Sequence, residues 1–244
     1  MKRRLDFPLS RSLKSDSTFA MRLATWNCQT GLDSNWTAVE ALTADVLTVQ
    51  ECGSDTPAQA EREGWACAYT EGKWGRGLAV LARAPYSIEA REPTEPFAVS
   101  TVISGPERFR FVGFWAMTEK DVGYSYPRQA TRVIEALPDD DIPAVMAGDF
   151  NASKSARHLK NVEWLAERGM VSAYHALHNV EHSAVEEHPT SYHHWQEERP
   201  FHMDFVFVPK TWMIKEVEVG KFADYSLQGG MSDHTPVVVS VTVP

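Results

Sequence analysis

Five times in this 244-residue sequence an apolar stretch of strand length abuts a short cluster of carboxylate, carboxamide or histidine residues. The first stretch, Arg22–Trp26, runs into Asn27. The second, from Asp45 to Val49, ends in Gln50-Glu51, and the third, from Pro143 to Ala147, ends in Gly148-Asp149-Phe150-Asn151. Asp204 opens the run Phe205–Val208 just after His202, and Ser232-Asp233-His234 precedes the run from Pro236 to Val239. A carboxylate buried beside a core strand costs several kcal/mol unless it is paired or binds a metal. A single Asp at a strand end is ordinarily a turn residue. Five such junctions constrain the fold more tightly, because strands lying side by side bring their ends together, and sites are built on the loops at strand ends.

The rest of the pattern fits strands lying side by side. Strand-like runs are expected at Arg22–Trp26, Asp45–Gln50, Leu78–Ala82, Ala98–Ile103, Phe109–Met117, Pro143–Ala147, Asp204–Val208 and Pro236–Val241. Helical patterns cover Asn35–Thr43, Arg128–Leu137 and Ser155–Arg168, with Pro127 before the second and Ser153 or Ser155 as caps for the third. Many strands and few helices imply an α/β (α+β) fold of two packed sheets with helices on their outer faces. No Gly/Ser/Pro-rich linker divides the chain, so one domain is expected over 21–244. Residues 1–20 are expected to be a flexible basic extension.

Composition bounds the function. An apolar share of 43% and a charged share of 23% are ordinary for a globular protein, and no run reaches the ~18 apolar residues of a membrane span. Twenty-four basic against 33 acidic residues leave a net charge of −9, which disfavours a protein that coats DNA by neutralising phosphates. Three cysteines without CxxC spacing, and no apolar signal segment, fit a reducing cytoplasm. Asn, Glu and Asp oxygens with few thiolates select a hard cation, Mg2+ or Mn2+. A histidine beside an aspartate adds an acid/base group with a partner that fixes its tautomer.

Asn27, Gln50-Glu51, Gly148-Asp149-Phe150-Asn151, His202-Met203-Asp204-Phe205 and Ser232-Asp233-His234 resemble, in this order, the motifs of the endonuclease/exonuclease/phosphatase superfamily. The resemblance runs from Met21 to the C-terminus. Pro189-Thr190-Ser191-Tyr192, followed by Phe201-His202-Met203-Asp204, is most similar to small bacterial members. The resemblance implies a four-layer αββα sandwich of two mostly antiparallel sheets. It also implies a divalent-metal-dependent phosphodiester hydrolase, most simply a nuclease acting on DNA or another nucleic acid; a monomer is expected, and no protein partner is predicted. A phosphatase or phosphodiesterase acting on a small-molecule or lipid head-group phosphate is the alternative, and a non-catalytic binding module is a third reading.

By the same resemblance Glu51 is the principal metal ligand, with Asn27 beside it and Asp233 as a further ligand. Asp149 orients or deprotonates the attacking water and Asn151 positions it. His234, held by Asp204, contacts a phosphoryl oxygen. Many relatives carry a histidine in the strand that here reads Phe111–Met117, and the corresponding residue is Trp115, whose indole accepts no proton. Its duty toward phosphate then passes to the next loop, with Tyr126 as the candidate catalytic residue and Gln129 as a substrate contact. Arg76, in the glycine-rich hairpin over 72–77, is a further candidate for substrate phosphate. Tyr192, His194 and His202 are expected to face substrate, and Trp195 offers another stacking surface. Six histidines crowd residues 175–194, but their spacing matches no strong zinc template.

Overall fold

A computed structural model describes residues 20–30, 32, 36–152, 155–227 and 230–244. In chain order the first half runs β1 (Ala20–Asn27), α1 (Trp36–Ala41), β2 (Val46–Gly53), α2 (Thr56–Arg62), β3 (Ala66–Glu71), β4 (Arg76–Ala82), β5 (Ser87–Glu92), β6 (Ala98–Ser104) and β7 (Phe109–Trp115). It continues with α3 (Glu119–Val122), α4 (Tyr126–Ala136), β8 (Ala144–Asp149), α5 (Ala156–Glu167), β9 (Met170–Ser172) and α6 (Ala173–His178). The last strands are β10 (Ser191–Tyr192), β11 (Pro200–Phe201), β12 (Asp204–Pro209), β13 (Met213–Val219) and β14 (Val237–Thr242). The basic extension expected over 1–20 lies outside the described residues except for Ala20, which already belongs to β1.

Two six-stranded sheets result, ordered β13-β14-β1-β2-β4-β3 and β5-β6-β7-β8-β12-β9, with β10 and β11 as a separate ribbon. Each six-stranded sheet contains one parallel pair, β1/β2 and β7/β8, among otherwise antiparallel neighbours. Parallel neighbours need a crossover. Here α1 makes one, and α3 with α4 makes the other.

This topology decides where the polar strand ends go. In the parallel pairs Asn27 stands opposite Gln50, and Trp115 opposite Asp149. Their antiparallel neighbours begin at the same edges: Asp204 pairs with Asp149, and His234 lies just ahead of β14 beside β1. All the chemistry-bearing ends therefore gather along one edge of the sandwich.

The sheets press together through Val46, Val80, Phe111, Val145 and Val239, all buried in one cluster. At the crossing of β2, β4 and β7 there is room only for glycine, since a Cβ on Gly113 would lie 2.5 Å from Thr48 Oγ1 and 2.9 Å from Val80 Cγ2. Trp36, Val39 and Ala60 of α1 and α2 cover the outside of the first sheet, against Leu47, Val49 and Leu81. Ala130, Val133 and Ile134 of α4 and Leu165 of α5 join the other cluster on the second sheet. The expected helices are present with small shifts; Ser155 caps α5 by accepting from His158 N at 3.3 Å. Helices α2, α3 and α6 and strands β3, β5, β9 and β13 are additions to the sequence-based pattern, and those four strands are the outer strands of the two six-stranded sheets.

Gly148 is the most constrained position next to the polar edge. Its φ is +155°, and a Cβ there would stand 1.8 Å from the carbonyl oxygen of Phe114 on the neighbouring strand. Gly148→Ala should cost more than about 2 kcal/mol, because rigid backbone must move to accept the methyl group. A urea melt that matched the unsubstituted protein would show that β7 and β8 can separate freely.

Candidate active site

Glu51 is aimed by a fault in its own strand. The register of β2 against β4 shifts between Gln50 and Cys52, and Glu51, the residue between, has φ +56°. A bulge re-aims its side chain and bends the strand. Gln50 stays in the sheet, fully buried, with its amide bonded to Thr25 and Thr48. Asn151 also occupies the left-handed region, at φ +45°, which asparagine tolerates better than most residues. Its backbone N–H donates to Asp149 Oδ1 at 2.8 Å, and its Nδ2 donates to Asp149 Oδ2 at 3.2 Å and to the Ala116 carbonyl at 3.0 Å.

One amide links acids of both sheets at the site. Asn27 Nδ2, at the end of β1, donates to Glu51 Oε1 at 3.0 Å and to Asp149 Oδ2 at 3.1 Å. Its Oδ1 accepts from Gln29 N at 3.2 Å. The remaining Glu51 oxygen accepts from the Arg76 guanidinium.

Asp204 and His234 form the second half of the centre. His234 Nδ1 lies 2.9 Å from Asp204 Oδ2, and the carboxylate has no proton to give while ionised, so the ring donates. Asp204 is fully buried, and its Oδ1 has no hydrogen-bond partner. Asp149, Asp204 and His234 each offer an atom within 4.8 Å of the others, the only such His/Cys/Asp/Glu group among the described residues. Asp233 is half-buried beside them, and Tyr126 lines a cleft with Glu51, Arg76, Trp115 and Asn151. Trp115 is buried at the end of β7 and packs so closely that a Cβ on Gly72 would meet its ring at 2.7 Å.

The residues that hold this constellation carry no charge. Thr190 Oγ1 accepts from the N–H groups of Met203 and Asp204 at 2.9 and 3.0 Å, and its carbonyl accepts from Thr235 N at 2.8 Å. Ser232 Oγ donates to the Asn27 carbonyl at 2.6 Å and accepts from His234 N at 3.0 Å. Ser191 Oγ sits 3.2 Å from His234 Nε2, and Trp26 Nε1 donates to the His234 carbonyl. Roles for Thr190, Ser191 and Ser232 were not apparent from the sequence, because hydroxyl residues between strands read as ordinary turn formers.

Two expected substrate contacts are corrected. Gln129 is fully buried, and its amide accepts from Met117 N and donates to the carbonyls of Met117 and Tyr124, so it braces the loop after β7. Tyr192 is buried with its ring 4.7 Å from that of Phe222. His202 packs between Tyr174 and Phe205 and donates from Nδ1 to the His188 carbonyl at 2.7 Å. His194 is exposed on a tight turn, with Trp195 beside it. The crowded histidines meet as rings: His175 stacks on His182 at 3.7 Å.

Electrostatics at the centre follow from this packing. Burial pushes Asp149 up to about 7, which His234 opposes and Asp204 reinforces. Burial alone would push His234 down, but Asp204 and Asp149 outweigh it and hold the ring at about 10. Burial also raises Asp233. Each of these groups holds its proton to higher pH in the folded chain than in the unfolded one.

Residues 24–234 match the model of the Endonuclease/Exonuclease/phosphatase family. No curated protein matches the chain in sequence. Similar solved structures include the 3′ phosphatase NExo from Neisseria bound to product DNA hairpin, at 16% identity and TM-score 0.66, covering 90% of this chain and 98% of that one. D. rerio TDP2 complexed with single-strand DNA product aligns at 15% identity and TM-score 0.69, over 91% and 98% of the two chains. An AP endonuclease from Archaeoglobus fulgidus aligns at 17% identity and TM-score 0.69, over 90% and 98%.

The raised groups fix a direction for stability. For His234 the folded state holds the extra proton between the unfolded value, near 6.5, and about 10; for Asp149 it does so between 3.8 and about 7. Both contributions are lost as pH rises. The urea midpoint of chelator-treated protein should therefore fall between pH 7 and pH 10, and His234→Gln should flatten that fall. A midpoint independent of pH would contradict the buried pairing.

Proposed function

Because this chain belongs to the endonuclease/exonuclease/phosphatase family, we propose that it is a divalent-metal-dependent phosphodiester hydrolase acting on nucleic acid. The observation that carries the reading is the approach of Asp149 to the Asp204–His234 pair at the edge where Glu51 and Asn27 also end.

The donor set fits a hard cation. Glu51 and Asp149 present carboxylate oxygens to the same amide group, Asp233 stands nearby, and among the described residues no cysteine joins the Asp149, Asp204 and His234 group. Glu51, Asn27 through its amide oxygen after rotation, and Asp233 would hold Mg2+ or Mn2+. Bound there, the cation supplies charge neutralisation at the phosphoryl oxygens and at the leaving oxygen.

The chain's own groups do the rest. Asp149, fixed by three N–H donors from Asn27 and Asn151, orients the attacking water and accepts its proton. Its elevated affinity for a proton suits that task near neutral pH. Asn151 offers its side chain at the same point. His234 turns Nε2 toward the phosphoryl oxygen, with Asp204 holding the Nδ1–H tautomer and stabilising the charged ring. Tyr126 supplies a hydroxyl on the wall of the cleft that Trp115 also lines.

Single- and double-stranded DNA, abasic duplex, RNA and a chromogenic phosphodiester, each with Mg2+, Mn2+ or chelator, test the proposal. Cleavage of a nucleic acid should require metal and be abolished in Asp149→Ala. His234→Ala should lower turnover by roughly 10² or more. Turnover of the chromogenic diester alone would move the assignment to small-molecule or lipid phosphoesters, and chelator-resistant cleavage would remove the metal from it. Trp115→His should raise activity on phosphomonoesters; an unchanged monoester rate would show that the departure at this position does not set substrate class.

A further inference from the structure

Both oxygens of Glu51 are already occupied by N–H donors. Oε1 accepts from Asn27 Nδ2 at 3.0 Å, and Oε2 accepts from the guanidinium of Arg76. The roughly four lone-pair sites of the carboxylate leave room for a cation beside these donors, but a divalent cation on Glu51 draws on the same negative charge. Asn27 can answer by rotating its amide and presenting Oδ1. Arg76 has no such option, since guanidinium has no acceptor and cannot lose its charge, so a dication on Glu51 repels it.

The surroundings say where it goes. Arg76 opens β4, opposite Gly53 and one residue beyond the bulge that aims Glu51. Its side chain is 35% exposed, so it is not locked into the core. The cleft it lines, of about 90 Å3, also contains Trp115, Thr118, Tyr126 and Asn151. Lys73 and Arg76 are the cationic residues on that lining, and Lys73 is engaged by Asp121 at 3.4 Å. A guanidinium released from Glu51 thus stays within the cleft lined by Asn151, which bonds Asp149, and a phosphate is the partner its planar fork matches.

We propose that Arg76 is an exchangeable counter-cation: it neutralises Glu51 in the metal-free protein and transfers to a substrate phosphate when a divalent cation takes Glu51. Metal and phosphate then bind with positive coupling, each removing the partner that the other's site must shed, and by linkage the factor is the same in both directions. This rests on the metal-dependent reading of Glu51, and it goes further by making metal affinity a property of the substrate-bound state. A purely structural ion pair that fastens the hairpin over 72–75 to β2 would give no such coupling.

The test is Mn2+ binding to the full chain, followed by the electron paramagnetic resonance of free Mn2+, with and without inorganic phosphate. Arg76→Met removes the competing cation and should tighten Mn2+ binding about 1.5- to fivefold, the range expected for a partly exposed ion pair. In the unsubstituted protein phosphate should strengthen Mn2+ binding, and in Arg76→Met that enhancement should shrink. Arg76→Lys keeps the charge but not the fork and should retain weak Mn2+ binding with reduced coupling. A urea melt of each variant separates loss of fold from loss of exchange. Equal or weaker Mn2+ affinity in a folded Arg76→Met protein, or an enhancement by phosphate that is unchanged in it, would overturn the exchange alone. No Mn2+ binding by any of the proteins would overturn the metal-dependent reading and the exchange with it.

Discussion

The side-chain amide of Asn27 joins the two halves of this molecule at the point where joining them is most costly. Glu51 belongs to the first sheet and Asp149 to the second, and the Asn27 Nδ2 group donates to both. Without it two carboxylates would face each other in a region where Asp149 is wholly buried, and like charges in low dielectric repel strongly. Arg76 shields Glu51 from the other side, and His234 sits near Asp149 and Asp204 as the third counterweight. The polar edge of the sandwich is thus a balance of fixed donors against acidic groups, with one carboxylate oxygen, Asp204 Oδ1, left over.

Backbone irregularities set the aim of those groups. A regular β2 would place successive side chains on opposite faces of the sheet. The bulge with Glu51 at positive φ breaks that alternation and turns the carboxylate to the sandwich edge. Gly148 lets β8 approach the Phe114 carbonyl so that Asp149 lands opposite Asp204, and Asn151 turns back on Asp149 through a left-handed residue. Strain of this kind persists only where the surroundings over-determine it. Thr190, through its hydroxyl and its carbonyl, and the Ser232 hydroxyl supply that support, tying the segments before β12 and β14 to each other and to the end of β1.

Legibility of the strands depended on their place in the sheets. The anticipated strands β1, β2, β4 and β14 are the inner four of one sheet, and β6, β7, β8 and β12 are the inner four of the other. Inner strands are covered on both sides and read as continuous apolar runs. The outer strands β5 and β13, Ser-Ile-Glu-Ala-Arg-Glu and Met-Ile-Lys-Glu-Val-Glu-Val, are charged and largely exposed. Charges of that kind protect an edge from pairing with other chains, and they also remove the apolar signal. Helix α3 spans only four residues, too short for a 3.6-residue period to declare itself.

The sequence by itself determined which residues could carry chemistry: Asn27, Glu51, Asp149, Asn151, Asp204 and His234 each stand where an apolar run meets a polar terminus, and a buried acid at such a junction needs a partner. Side-chain direction was not contained in that pattern. Gln129 and Tyr192 look as available as Tyr126 along the chain, yet packing turned the first two inward and left the third on the cleft wall. The pairing of Arg76 with Glu51, of Asn27 with both carboxylates, and of Thr190 with the Asp204 backbone joins residues up to 122 positions apart. Only the tertiary structure decided those contacts, because hydrogen bonds are local in space and strand order, crossover and register set which distant residues become neighbours.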